Sequence, residues 1–359
     1  MHYYSNIRLA TPKDQPNWDN FVWNHKQGLA YHFYAWKEAI EQAYGFECPY
    51  LLAESEGTIK GILPLAHIHT PISKGKLVSL PYCDIGGILA DSQETANELF
   101  SSALEYTNSQ KINCLEIRDL APLPGYDSEK TRHPGKVRMV SELSGHSVDI
   151  FNKMKAKLRN QIKKPQREGL KVKSGGIELL DEFYPIFASN MTYLGSPVHS
   201  RKWLQKIVSL FDSRSGINIV MLPDGTPAAG GIHLASRETF TIPWASSLRK
   251  YNHWNPNMLL YWSFLQKAAD KGYKFFDFGR SSPNEGTFKF KKQWGAEPMP
   301  LYWVNMQKKS VKEGFIPSLP GSENGTSGYA RIWAEKTISK IPVSINRSLG
   351  PRLRKYISL

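Results

Sequence analysis

Cysteine is scarce. The chain of 359 residues has three, Cys48, Cys83 and Cys114, far apart and odd in number. No CxxC pair and no Cys–His spacing of a zinc site occurs, so neither a disulfide framework nor a metal centre is expected. Free thiols suit a reducing cytoplasm. Long apolar runs are missing too. No stretch approaches the ~18 residues of a bilayer-spanning helix, and the N-terminus, MHYYSNIRLATPKD, lacks the basic-then-apolar order of a signal peptide. The expected location is cytoplasmic, with any membrane contact peripheral at the inner face. Acidic residues run short: 32 Asp and Glu stand against 46 Lys and Arg, a formal net charge of +14. That excess points to an anionic partner (nucleic acid, phosphorylated substrate or acidic membrane) or to a basic surface that only keeps the protein soluble.

Aromatic residues are plentiful, with 10 Trp, 17 Tyr and 16 Phe. They supply core and also stacking platforms. The length exceeds what one hydrophobic core usually serves, so two domains are expected. One stretch organises the rest: Lys274 to Gly295, KFFDFGRSSPNEGTFKFKKQWG. Phe275, Phe276 and Phe278 predict a strand that Gly279 ends. Asp277 inside it is costly unless something requires a carboxylate there. After a polar loop, Phe288 and Phe290 alternate with Lys289 and Lys291, a strand pattern with aromatics on one face and cations on the other. The expectation is the floor of an active site.

In chain order, residues 1–30 are Trp- and Asn-rich without a clear pattern. A helix is expected over His32–Tyr44, stopped by Gly45. A β-hairpin follows, Tyr50–Ala53 returning through Thr58–His67. Leu77–Ser79 and Ile85–Leu89 flank a turn. A helix follows over Ser92–Ser109, with Asp91 or Ser92 as its cap, then a strand over Ile112–Ile117. The second half repeats this order: strands Ile217–Leu222, Pro227–Ala235 and Thr239–Trp244, a helix over Asn257–Lys271, and the strand Lys274–Phe278. Further helices are expected over Phe183–Tyr193 and Lys202–Phe211. This reads as a tandem duplication of one α/β unit, with helix crossovers making some strands parallel in a mixed sheet.

Between the halves lies DIFNKMKAKLRNQIKKPQREG, rich in cations (Lys153, Lys155, Lys157, Arg159, Lys163, Lys164, Arg167). It reads as an arm that holds phosphates or as a solvated linker helix, with Pro165 ending or kinking it. The tail after Met306 loses regular pattern. Its last stretch, Lys336–Leu359, either lies on an anionic membrane as an amphipathic segment or packs on the core and frays. The expected boundaries are 1–148, a connector over 149–170, 171–306, and a basic tail over 307–359.

The order RNQIKK, NMTYLGSP, PNMLLYWSFLQKAADKGYKFFDFGRS and GTFKFKKQWG resembles the Fem-type branch of the GNAT acyltransferase superfamily. More narrowly it resembles the FemAB-like proteins encoded with exosortase (PEP-CTERM) and exopolysaccharide systems. The similarity runs over roughly residues 30 to 305 and implies two GNAT-like domains. It also implies transfer of an aminoacyl group from aminoacyl-tRNA to an amine of a peptidoglycan or related envelope precursor. The family's aromatic–lysine pair before an aromatic–glycine is here Phe290-Lys291 with Trp294-Gly295, which places Lys291 near the reacting carbonyl. A fixed ammonium there stabilises the oxyanion formed when an amine attacks an ester or thioester.

Arg280 and Lys289 are candidates to hold phosphate or carboxylate on the acceptor, joined by Arg159 in the basic arm. Asp277 is the candidate to take the amine's proton, or else a buried Asp bonded to backbone or to Arg280. Glu285, His233 and His253 are weaker candidates. Phe290, Trp294, Tyr193 and Trp244 form an acceptor wall or belong to the core. CoA-dependent GNAT proteins carry a glycine-rich loop opening the helix after the central strand. The equivalent LRKYNHWNPNM keeps Arg249 but no glycine, which counts against acetyl-CoA as donor.

The expectation is therefore an acyltransferase of α/β (α+β) fold with no tightly bound cofactor. Its donor is aminoacyl-tRNA ahead of acetyl-CoA, and its acceptor is an anionic envelope or polysaccharide precursor. DNA is not expected as a partner. The alternatives are a CoA-dependent N-acetyltransferase and a non-catalytic module for anionic glycan or lipid.

Overall fold

The computed structural model describes residues 6–70, 72–123, 125–310, 314–319 and 333–358. Its strands, in chain order, are β1 Ile7–Leu9, β2 Leu51–Ser55, β3 Thr58–Leu63, β4 Ala66–Thr70, β5 Ser73–Val78, β6 Leu89–Ala90, β7 Cys114–Asp119, β8 Arg132–Glu142, β9 Lys171–Gly175, β10 Ser215–Met221, β11 Pro227–Ala235, β12 Thr239–Ser247, β13 Phe275–Ser281, β14 Glu297–Ser310 and β15 Gly314–Ser318. The helices are α1 Gln15–Asn24, α2 Tyr34–Tyr44, α3 Gln93–Ser109, α4 Ser128–Thr131, α5 Ser147–Lys153, α6 Ala156–Arg167, α7 Leu180–Tyr193, α8 Arg201–Phe211, α9 Pro256–Asp270, α10 Gly286–Lys292 and α11 Val343–Arg354.

These elements form two compact units, one of Met1–Val137, Pro300–Asn324 and Lys355–Leu359, the other of Arg138–Met299 and Gly325–Arg354. The boundaries therefore differ from those expected. The basic stretch 149–170 does not stand apart: α5 and α6 are part of the second unit, with Phe151 against Trp262 at 5.1 Å and Leu158, Ile162 and Pro165 buried. The tail is likewise patterned where described. Residues 302–307 of β14 pair with β7, β15 pairs with β14, and α11 docks on the second unit through Asn346.

In the first unit β1, β2, β3 and β6 make one sheet, while β4, β5, β7 and β14 follow one another in a second. Leu51, Leu63, Leu77, Leu99, Ile117, Val304 and Met306 share one core. In the second unit β9 to β12 are antiparallel neighbours. Strand β13 joins β12 in parallel, over Thr239–Thr241 with Phe275–Asp277. A parallel partner needs a long crossover, and α9 supplies it with Leu260, Phe264 and Leu265 buried.

The order helix, helix, hairpin, strand, helix, parallel strand recurs in each unit, as the tandem reading expects. The correspondence reaches single residues. Lys111 and Gly272 leave their helices at φ 55° and 77°. Five positions on, Glu116 and Asp277 each sit in a strand paired in parallel, Glu116 with Val78 and Asp277 with Thr241.

Three local expectations are corrected. The hairpin return is two strands, β3 and β4, because Pro64 interrupts the ladder and β4 pairs with β5 instead. Helix α6 runs through Pro165 to Arg167. The ring sits buried in the last turn, where the single backbone bond it removes, to the carbonyl of Gln161, leaves the preceding turns intact. The stretch Gly286–Lys292 is a helix, not a strand. Phe290 and Trp294, four apart, both meet Tyr261, at 4.9 and 6.4 Å, and this shared contact selects the helical period.

Candidate active site

The parallel pairing of β12 with β13 stops at Thr241 and Asp277, although the strands continue to Ser247 and Ser281. Open α/β sheets bind ligands beyond the carboxyl ends of such strands. At this end β13 bends. Gly279 adopts φ 71°, a left-handed conformation that breaks the alternation of successive carbonyls. The carbonyls of Gly279 and Arg280 accept hydrogen bonds from the same ammonium, Lys291 Nζ, at 3.2 and 2.7 Å. Lys291 is 7% exposed, so helix α10 carries a buried cation onto the bend of β13.

Asp277 holds the bend from the other side. Its Oδ1 accepts from Gly279 N–H at 2.7 Å and its Oδ2 from Arg138 Nε at 3.0 Å. Both Asp277 and Arg138 are buried. Both carboxylate oxygens are thus taken by protein donors.

Aromatic rings wall the same corner. Tyr261 stacks on Phe278 at 5.8 Å, and Phe290 lies 6.2 Å from Trp294. Burial pushes the Tyr261 phenol up to about 12, so it keeps its O–H at neutral pH.

Residues 152–292 match the family profile described as "Acetyltransferase (GNAT) domain". This stretch is a GNAT domain. No curated protein matches the chain. Among solved structures, the crystal structure of FemX has a TM-score of 0.65 at 14% identity, covering 82% of this chain and 94% of that one. The C-terminal domain of a putative lysylphosphatidylglycerol synthetase from Agrobacterium fabrum scores 0.54 at 12% identity, with 81% and 91% covered. A conserved protein of unknown function from Bacteroides thetaiotaomicron also scores 0.54, at 10% identity, with 83% and 98% covered. At these identities the likeness is one of fold.

Within the GNAT domain, the structure brings Asp277, Arg280 and Lys291 to one corner, with Phe290; Trp294 lies just past the matched stretch. Lys289 is exposed on α10. The remaining expected residues serve elsewhere. Arg159 Nη1 donates to the carbonyls of Asn152 and Met154, at 2.8 and 3.1 Å, and so caps α5. Trp244 is buried against Trp203 at 6.4 Å. Tyr193 is 52% exposed, with the Arg249 guanidinium 3.3 Å above its ring. His233 stacks on Phe240 at 4.4 Å, and burial, with Lys267 and Lys271, pushes its imidazole down to about 3. It is a core residue.

Two features escaped sequence reasoning. Arg138 lies 139 residues from Asp277 in sequence, and only its place in β8 brings it there. A pocket of about 480 Å³ is lined by Lys157, Lys164, Arg167, Asn160, Gln161 and Asn255, at the N-terminus of α9. The cation count of the arm signalled it, but which cations faced inward needed the helix phase. Among the described residues no group of His, Cys, Asp or Glu could hold a metal, and no helix is long and apolar enough to cross a membrane.

Proposed function

We propose that the protein transfers an acyl group, foremost an aminoacyl group, onto an amino group of an anionic envelope, peptidoglycan or exopolysaccharide precursor. The observation that carries this reading is the buried Lys291 ammonium, fixed by two carbonyls on the bend of β13 inside a GNAT domain. A positive charge held in a water-poor corner stabilises a developing oxyanion without reorganising. The sequence resemblance to the Fem-type branch supports the aminoacyl donor, and the names of two fold neighbours, FemX and a putative lysylphosphatidylglycerol synthetase, agree with it.

In this reading an amine of the acceptor attacks the donor's ester carbonyl. The oxyanion forms near Lys291 and collapses with loss of the donor's hydroxyl, and the amine's proton leaves by a base. Asp277, committed to Arg138 and Gly279, is a positioning residue that holds the bend. Glu285, exposed at the start of α10, is the carboxylate available for the proton. Arg280 and Lys289 meet the acceptor's anionic groups. The pocket lined by Lys157, Lys164 and Arg167, beside the positive end of the α9 dipole, takes phosphates of the donor.

The test is turnover by purified protein with charged tRNA and an amine acceptor. Lys291→Ala is expected to lower transfer by about 10²-fold, further than its lowered melting temperature explains, while circular dichroism still shows the fold. Unchanged turnover would overturn the assignment. A second reading, transfer from acetyl-CoA, has the acetyltransferase description of the family in its favour. Calorimetric titration at fixed salt separates the two: CoA binding without preference for charged tRNA favours the second.

A further inference from the structure

Helix α11 docks with its apolar side outward. Its inward line is Asn346, Gly350 and Arg354, spaced by four. The Asn346 side chain accepts from Val198 N–H at 3.2 Å and donates to Thr192 Oγ1 and the Ser196 carbonyl, at 2.9 and 3.0 Å. A Cβ on Gly350 would lie 2.8 Å from Val198 N, so the close approach requires glycine. Arg354 Nε donates to His199 Nε2 at 3.0 Å.

The neighbouring line, Ile345, Leu349 and Leu353, also spaced by four, is exposed at 43%, 49% and 54%. A lone exposed leucine is ordinary. Three in register, on a helix that buries an asparagine instead, make a stripe about 12 Å long. Arg352 lies seven residues from Ile345 and so flanks the stripe. Residues 333–358 hold six cations (Lys336, Lys340, Arg347, Arg352, Arg354, Lys355) and one acid, Glu335.

We infer that α11 is a membrane-docking helix that lays Ile345, Leu349 and Leu353 into the surface of an anionic bilayer. Arg352, Lys340 and Lys336, all exposed, meet lipid phosphates. Apolar insertion and charge attraction act together in such helices. A protein partner would need an apolar groove rimmed with acid, whereas a bilayer supplies both requirements without specific fit. The inference rests on α11 and the cations that precede it, not on the transfer reading.

The test is co-sedimentation of the full chain with vesicles of phosphatidylcholine, with and without phosphatidylglycerol, at fixed salt, with no acyl donor present. The wild type is expected to bind the anionic vesicles and to be released by salt. Replacing all three stripe residues (Ile345→Ser, Leu349→Ser, Leu353→Ser) is expected to weaken binding at least about tenfold. The melting temperature should hold, because the stripe makes no core. Absence of binding to anionic vesicles, or equal binding by the triple variant, overturns the proposal. So does a dimer in solution that the triple variant dissolves while wild type ignores lipid, which would make a second copy the occupant.

Discussion

Gly279 joins the two sides of the candidate site. Its N–H is taken by Asp277 and its carbonyl by Lys291, at a φ that a side chain resists. Gly279→Ala is expected to cost about 1 kcal/mol or more in a thermal melt. It should lower transfer further than that loss explains, because the two carbonyls that fix the ammonium move. A variant that melts early yet turns over normally would remove the bend from the mechanism. At this scale Asp277 and Lys291 stood out in the sequence, as an acid among phenylalanines and an aromatic–lysine pair, whereas Gly279 was expected to end the strand and β13 instead runs through it to Ser281. Arg138 did not stand out, because nothing in a sequence marks which distant arginine a buried carboxylate will meet.

Elements were legible where one face is buried along their whole length. Helices α2, α3, α7, α8 and α9 and strand β11 lie within a few residues of their expected spans. Helix α10 was misread because seven residues with alternating Phe and Lys satisfy a period of two as well as one turn of helix. Contacts with Tyr261, supplied by α9, decide between them.

The docking of α11 yields a pH prediction. Burial, with Arg354 beside it, holds His199 well below its ordinary 6.5. The unfolded imidazole therefore takes up a proton first. The stability linked to neutral His199 is full above about pH 6.5 and is lost as pH falls below it. The protection factors of the α11 amides, which remove the intrinsic pH dependence of exchange, are expected to fall between pH 7.5 and 5.5, and His199→Gln, which keeps an acceptor for Arg354, is expected to flatten that fall. Equal protection at both pH values would separate the helix from this histidine.

For the whole molecule, a net charge of +14 makes affinity for any polyanion a function of salt. Each phosphate contact contributes about 0.7–0.9 to the log–log slope. Replacing Lys157, Lys164 and Arg167 by Gln is expected to reduce the slope for charged tRNA by about 2, and an unchanged slope would place the phosphates elsewhere. The first unit adds an acid limit. Burial opposes the charge on Glu116, but Arg118 and Lys76 outweigh it and hold its carboxyl down to about 2. That stability is present above the ordinary 4.5 and is lost as pH falls toward 2, on the order of 3 kcal/mol. A melt of Lys76→Met should show a shallower acid slope.

The sequence by itself determined the α/β class, the repeated order of elements and the residues at the bend of β13, because periodicity, turn chemistry and misplaced charges are local. Tertiary structure alone decided where the chain changes unit, which arginine neutralises Asp277, which cations of α6 face a pocket, and which side of α11 is buried. These depend on what each element packs against, and a single helix or strand carries no record of its partner.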